Sequence, residues 1–118
     1  MESRGLVSTA LGGAAITSSE PCAWVMWVEY ERIGVGDTKY EREIVPEAAY
    51  PPTGYTRCME DTRTLAARKV HSSKNLVNVK KVEHRELIGD RQSVMIELKS
   101  GGTLYTRYMC FPHPVKPE

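Results

Sequence analysis

The sequence predicts an α+β fold in which one helix packs on an antiparallel sheet of four to five strands, giving two layers. Three observations support this prediction. Two alternating apolar runs flank Gly101-Gly102, an apolar stripe with helical spacing follows Thr53, and a run containing both tryptophans precedes them. The predicted order is β-β-α-β-β-β. A chain of 118 residues has the usual size of one domain, which we assign to residues 21–118.

The first two strands are predicted to pair with each other. Ala23 to Tyr30 is apolar at odd and even positions alike, which indicates a central strand covered on both faces. A turn is predicted at Gly34 to Asp37, followed by a more exposed strand from Lys39 to Val45. Pro46 and the Pro51-Pro52 pair are expected to end regular structure, because proline lacks a backbone N–H.

One helix is predicted from about Gly54 to Val70, with Thr53 as its N-terminal cap. Spacings of three and four residues place one stripe of the helix against the sheet. The stripe consists of Cys58, Thr62, Leu65 and Lys69.

The second half of the chain contains three predicted strands. A strand of moderate quality runs from Leu76 to Val82, after a loop at His71 to Asn75. Ser93–Leu98 and Leu104–Cys110 alternate regularly across a Gly-containing loop and therefore predict a β-hairpin. Prolines 112 and 114 are expected to end the last strand and to leave a frayed tail.

The charge composition argues against some partners. The formal net charge is +1, so no strong field would attract nucleic acid. Residues 20–62 carry a net charge of −5 and residues 63–91 one of +5. Neighbouring surfaces that neutralise each other explain this pattern, and a bipolar surface for a charged partner is the alternative. No apolar run reaches the length of about 18 residues that a membrane span needs.

The first 20 residues are predicted to lie outside the packed domain. Arg4 precedes a short, weakly apolar stretch rich in Gly and Ala, which is either a signal-like segment or a disordered leader. Three cysteines are compatible with one disulfide and one free thiol in an oxidising compartment, or with three reduced thiols in the cytosol.

Cys58 and Cys110 are the cysteine pair that the predicted fold could bring together. Cys58 lies on the inward helical stripe, and Cys110 shares a strand face with Leu104 and Tyr108. Two buried, reduced cysteines are the first alternative. A reactive Cys58 near a helix N-terminus is the second, and a metal site built from Cys110 and His113 is the third.

The sequence contains no GxSxG, HExxH or phosphate-loop motif, and it predicts no catalytic residue, metal or cofactor. Glu41 and Glu43 share a strand face, which we interpret as a solvated surface. Aromatic residues provide the candidate binding surface, since exposed aromatic rings are common in binding patches. The candidates are Trp24, Trp27, Tyr30, Tyr40 and Tyr105.

Three segments together resemble a family of small, uncharacterised bacterial exported proteins, periplasmic or secreted. The segments are Cys22-Ala-Trp-Val-Met-Trp27, the region from Tyr50 to Cys58-Met-Glu60, and the ending Tyr105-Thr-Arg-Tyr-Met-Cys110-Phe-Pro-His-Pro-Val-Lys-Pro117. The resemblance implies export and a Cys58–Cys110 bridge, and it implies no activity.

These observations leave three functional hypotheses. The first is a non-enzymatic envelope or secreted domain with a binding or structural role. The second is a small enzyme whose site is assembled from scattered residues, and the third is a cytosolic interaction protein with reduced thiols. A concave pocket with convergent titratable groups would favour an enzyme, and a flat aromatic patch would favour a binding domain. A protein is a candidate partner, and the sequence does not predict its identity.

Overall fold

Five antiparallel strands and one long helix make up the computed structural model, which describes residues 23–34, 40–88 and 91–118. The predicted leader, Cys22 and the predicted turns at residues 35–37 and 89–90 lie outside the described residues. The elements are β1 (Trp24–Ile33), β2 (Glu41–Tyr50), α1 (Tyr55–Lys74), β3 (Val79–Leu87), β4 (Arg91–Leu98) and β5 (Thr103–Pro112). The strands lie side by side in the order β2-β1-β5-β4-β3. The fold is therefore α+β, as predicted.

Strand β1 has a neighbour on each side, which agrees with its run of apolar residues. It pairs with β2 on one side and with β5 on the other. Successive side chains of a strand point to opposite faces of the sheet. Met26 and Val28 are accordingly buried under α1, while Trp27 lies half-buried on the opposite face.

Strand β2 continues through Pro46, so the prediction that regular structure ends there was wrong. Pro46 pairs with Trp27, whereas Ala48 pairs with the neighbouring Met26, which leaves Glu47 as an extra residue in a β-bulge. A proline is tolerated at a bulge of an edge strand because the ladder loses little by its missing N–H. The bulge also restores the alternation that brings Tyr50 into the core.

Helix α1 begins and ends later than the sequence predicted. The residue at its N-terminal cap is Gly54, without a side-chain hydrogen bond, so the prediction of a Thr53 cap was wrong. A Cβ atom on Gly54 would lie 2.7 Å from Cβ of Tyr50, which explains a glycine at this position. At the other end, the predicted loop from His71 onward is helical as far as Lys74, because Ser73 is still buried.

Strand β3 lies further along the chain than predicted, at Val79–Leu87 instead of Leu76–Val82. Turn hydrogen bonds occupy the intervening residues, from the Leu76 N–H to the Ser73 carbonyl and from the Val79 N–H to the Leu76 carbonyl. These bonds turn the chain away from the helix before pairing with β4 can begin.

The hairpin of β4 and β5 confirms the clearest signal in the sequence. Ile96 pairs with Leu104. The Leu98 N–H donates to the Gly102 carbonyl at 2.8 Å, and the Gly101 N–H donates to the Leu98 carbonyl at 2.9 Å. Gly101 has a φ angle of 105°, a conformation that residues with a Cβ atom rarely adopt.

A disulfide joins α1 to β5. Cys58 is fully buried, and its sulfur is bonded to that of Cys110 with a Cα–Cα distance of 6.2 Å. This confirms the pairing that the sequence suggested and excludes the alternatives of a reactive Cys58 or a metal-bound Cys110 in this structure. The bridge crosses between the helix and one face of the sheet, consistent with a two-layer arrangement.

The C-terminal tail is packed, so the expectation of a frayed end was wrong. The His113 N–H donates to the carbonyl of Ala23, and the Val115 N–H donates to that of Pro112. The amino group of Lys116 lies 5.8 Å from the centre of the Trp27 ring. The tail therefore covers part of the sheet face that the helix leaves open.

The two glycines of the hairpin loop should respond differently to the same substitution. Gly101→Ala places a Cβ atom at positive φ and should lower the free energy of unfolding by about 1 kcal/mol. Gly102→Ala is the matched control, because its Cβ would make only ordinary contacts, beginning at 3.5 Å, and its effect should stay below about 0.5 kcal/mol. Urea unfolding of both variants measures the difference. Equal losses would contradict the described loop conformation.

Candidate functional site

The five aromatic residues proposed as a binding surface lie on both faces of the sheet. Trp24 packs against the core on the helix side, where its ring centre is 4.6 Å from that of Tyr55. Tyr30 lies on the same side, and Trp27 and Tyr105 point to the opposite one. The structure therefore does not bring the five into one patch, because strand alternation separates neighbours in the sequence. Their role in binding stays a prediction.

An open groove on the helix side is the candidate site among the described residues. Its volume is about 400 Å³, within the range of small-molecule sites. The ends of three neighbouring strands line it, with contributions from β4 and from the helix. The lining residues are Tyr30–Arg32 of β1, Glu41–Glu43 of β2, Leu104–Thr106 of β5, Ile96 of β4 and Lys69 of α1.

Strand alternation decides which of these side chains face the groove. Tyr30 is opposite Glu43 and Arg32 is opposite Glu41 in the β1–β2 register, and each pair shares the helix side of the sheet. Leu104 and Ile96 form an apolar floor beside the core. The groove thus combines an apolar floor with charged walls.

Glu31 and Arg42 of the groove lining belong to ion pairs of the opposite face, whereas, within the part of the chain that the structure describes, the other four charged residues of the lining do not. Among the described residues, no salt bridge involves Glu41, Glu43, Arg32 or Lys69. The two glutamates and Arg32 are exposed, and Lys69 is half-buried. Two carboxylates from β2 and an ammonium group from α1 are therefore available to a ligand.

Tyr30 lies next to this acidic wall and is 42% exposed. Partial burial, together with the nearby carboxylates of Glu47 and Glu43, raises the pKa of its hydroxyl. The hydroxyl therefore stays protonated at neutral pH and can donate a hydrogen bond. A positive group between Tyr30 and Glu43 would meet both a carboxylate and an aromatic ring.

The opposite face of the sheet carries a charge network that is internally satisfied. Arg42 donates from Nε to Glu29 Oε2 at 2.6 Å, and Arg107 Nη1 lies 3.5 Å from Glu29 Oε1. Arg107 also donates to Glu31 Oε1 at 2.9 Å, and the Tyr40 hydroxyl donates to Glu31 Oε2 at 2.7 Å. These bonds give each of the charged groups a partner within the protein, so we infer that the network stabilises the fold.

A second polar chain connects β3, β4 and the helix. Gln92 is fully buried, and its amide bonds His84 Nε2 at 2.8 Å and Glu86 Oε2 at 3.0 Å. Arg63 of α1 lies 3.4 Å from the same oxygen of Glu86. The hydrogen bond from Gln92, followed by that from Arg63, lowers the pKa of the Glu86 carboxyl. Sequence patterns alone did not indicate this row of hydrogen-bonded side chains, because its residues belong to three different elements.

Neither a metal centre nor a membrane span is found in the described part of the chain. No cluster of three or more His, Cys, Asp or Glu residues has the arrangement of a metal site among the described residues. The one described helix is not apolar enough to cross a membrane. Comparison with known proteins finds no matching family model, curated protein or solved structure. The resemblance to bacterial exported proteins thus stays a prediction.

Glu31 should make the stability of the protein depend on pH. Hydrogen bonds from Tyr40, first, and from Arg107 lower the pKa of its carboxyl in the folded state. A lowered folded-state pKa contributes stability above the unfolded pKa of about 4.3, and this contribution is lost as the pH falls through the folded-state value. Glu31→Gln should therefore lower the free energy of unfolding by about 1 kcal/mol at pH 7, after allowance for solvent screening. At lower pH the loss should be smaller.

Urea unfolding at several pH values measures this difference. The matched control is Glu60→Gln, because the Glu60 side chain is exposed and enters no salt bridge with a described residue. A loss at Glu31 that is the same at pH 7 and at about pH 2.5 would contradict the role of the ionised carboxylate.

Proposed function

We propose that this chain is a non-enzymatic domain of the bacterial envelope or secreted fraction that binds a small zwitterionic ligand in the groove. The ligand would carry an ammonium and a carboxylate group, as a free amino acid or a short peptide does. The observation that carries the proposal is that charges of both signs surround an apolar floor without salt bridges to any residue that the structure describes.

The Cys58–Cys110 disulfide supports the proposed compartment. Both cysteines belong to the folded core region, and one of them is fully buried. Disulfides form and persist in oxidising compartments and are rare in the cytosol. Export is also what the resemblance of the sequence implies, through segments that include the same two cysteines.

The charges of the groove favour a zwitterion. Glu41 and Glu43 offer carboxylate oxygens to an ammonium group on the β2 side, and Tyr30 adds its ring to the same wall. Lys69 offers its ammonium group to a ligand carboxylate from α1. Ile96 and Leu104 would contact an apolar side chain between the two ends. Fixed polar groups around an apolar cavity orient a ligand and give specificity.

The dipeptide Leu-Leu is a suitable probe, with its N-acetyl form and its C-terminal amide as comparisons. Titration of the ¹⁵N-labelled full chain should shift amide signals of Tyr30, Lys69 and Thr106, which come from three different elements. Each blocked peptide should bind about tenfold more weakly, since one charged contact of about 1.4 kcal/mol is lost. Absence of shifts in the groove, or equal binding of all three peptides, would contradict the proposal.

Two variants separate the contributions of the walls. Glu43→Gln should reduce the preference for the free amino group, and Lys69→Gln should reduce the preference for the free carboxylate. Glu60→Gln and Lys74→Gln are matched controls, because both side chains are exposed on α1 and neither lines the groove. The controls should keep the discrimination of the parent protein, and a loss in the controls as large as in the groove variants would exclude site-specific binding.

A further inference from the structure

The two edges of the sheet are not equally protected against pairing with another strand. Edge strands expose backbone N–H and C=O groups, and proteins block them with prolines and bulges. The β2 edge has both devices, Pro46 and the bulge beside it. The β3 edge contains no proline. Its register irregularity and its two lysines lie at its start, and its pairing with β4 is regular from Lys81 to Leu87.

The hydrogen-bonding pattern shows which groups of β3 face outward. The Leu98 N–H donates to the Gly102 carbonyl on the β5 side, so alternate residues of β4 bond to β5 and to β3. Glu97, Met95 and Ser93 therefore face β3, where they pair with Lys81, Glu83 and Arg85. The residues of β3 between these direct their N–H and C=O groups away from the sheet. They are Val82, His84 and Glu86.

Apolar side chains are concentrated at the two ends of this edge. Leu76 and Val77 precede β3, and Leu87 and Ile88 end it. All four are exposed, with Val77 at 87% and Ile88 at 98%. They account for four of the nine large exposed apolar side chains among the described residues. Such a concentration beside a strand edge without proline is typical of an interaction surface.

We propose that a second copy of this chain binds here, by antiparallel pairing of β3 with β3 about a two-fold axis at His84. The pairing joins two sheets of five strands into one of ten. Symmetric dimers use the same surface of each copy, and a strand edge is self-complementary in this way. The outward groups of Val82, His84 and Glu86 would find partners in Glu86, His84 and Val82 of the second copy.

The charges along β3 select this register. An axis at His84 places Glu83 opposite Arg85 of the second copy, and Arg85 opposite its Glu83. Within one chain Arg85 Nη2 already lies 3.2 Å from Glu83 Oε1, so the dimer would contain four alternating charges on one face. Opposite charges across strands stabilise a sheet and like charges destabilise it.

Neighbouring registers are less favourable. An axis at Glu83 would place Glu83 opposite itself and Lys81 opposite Arg85, and an axis at Arg85 would place Arg85 opposite itself. An axis at Val82 would pair Glu83 with Lys81, but it requires the irregular start of β3, where the register shifts between Val79 and Lys81. The pairing of charges and the regularity of the strand therefore both favour a two-fold axis at His84.

Sedimentation equilibrium of the full chain tests the dimer. Every protein in the test carries Cys22→Ser, so that an intermolecular disulfide cannot be counted as an association. The mass should approach twice 13.3 kDa as the concentration rises towards about 100 µM. A protein that stays monomeric over this range would overturn the proposal.

Charge exchange tests the register. Glu83→Arg and Arg85→Glu should each weaken dimerisation at least about tenfold, because each turns two attractive pairs into repulsive ones. The double variant restores opposite charges and should return to within about threefold of the parent affinity. Glu60→Arg, a change of an exposed side chain on α1 and not on β3, should have no effect. An axis at Val82 would leave Arg85→Glu without effect, and that result would overturn the proposed register.

His84→Pro tests the backbone pairing independently. The N–H of His84 faces outward, so the substitution keeps the backbone bonds between β3 and β4 and removes two central bonds of the dimer. It also removes the side-chain bond from His84 to Gln92, so urea unfolding must first show that the variant is folded. The variant should be monomeric, with a circular dichroism spectrum like that of the parent. A dimer of unchanged affinity would show that β3 is not the contact.

Discussion

The covalent bond between Cys58 and Cys110 is the constraint on which the rest of the structure depends. It joins the start of α1 to the end of β5, the middle strand of the sheet. Two contacts reinforce the same end of the helix: the Tyr50 hydroxyl donates to Asp61 at 2.6 Å, and Tyr55 stacks obliquely against Trp24. Burial and this hydrogen bond raise the pKa of the Tyr50 hydroxyl, so the donor keeps its proton at any physiological pH.

The position of the helix explains where a site can form. The helix packs mainly on β3, β4 and β5, with Arg63 near Glu86 of β3, and it makes fewer contacts with β1 and β2. The far ends of β1 and β2 are consequently left without a helix above them. Their side chains, with Lys69 beside them, line the groove. On the opposite face of the sheet, the charge network around Arg107 and the packed C-terminal tail cover the centre.

Local sequence patterns predicted the parts of the fold that depend on neighbours in the chain. The β4–β5 hairpin follows from alternation around Gly101, and the inward stripe of α1 correctly placed Cys58 against the sheet. The passage of β2 through Pro46 could not be predicted in this way, because it depends on a bulge opposite Trp27. The packing of the tail depends on a hydrogen bond to Ala23, a residue 90 positions earlier in the chain.

The groove could not be predicted from the sequence either, because it also depends on contacts between distant segments. Tyr30, Lys69 and Leu104 come from three distant segments, and only the strand order places them together. The aromatic residues suggested by composition were distributed over two faces by the alternation of the strands. Of these aromatic residues, Tyr30 and Tyr105 line the groove, and Tyr30 does so from the helix side of the sheet.

The most direct test of this account is the contribution of the Cys58–Cys110 bridge to the free energy of unfolding. The two cysteines are 52 residues apart, and closing a loop of this length should stabilise the fold by about 4 kcal/mol on the chain-entropy model. Urea unfolding would compare the oxidised chain with the Cys58→Ala, Cys110→Ala variant, both carrying Cys22→Ser. We expect a loss of about 4 kcal/mol or more, since a buried pair is also removed. A loss below about 1 kcal/mol would mean that other contacts hold the helix on the sheet, and it would contradict the central role of the bridge.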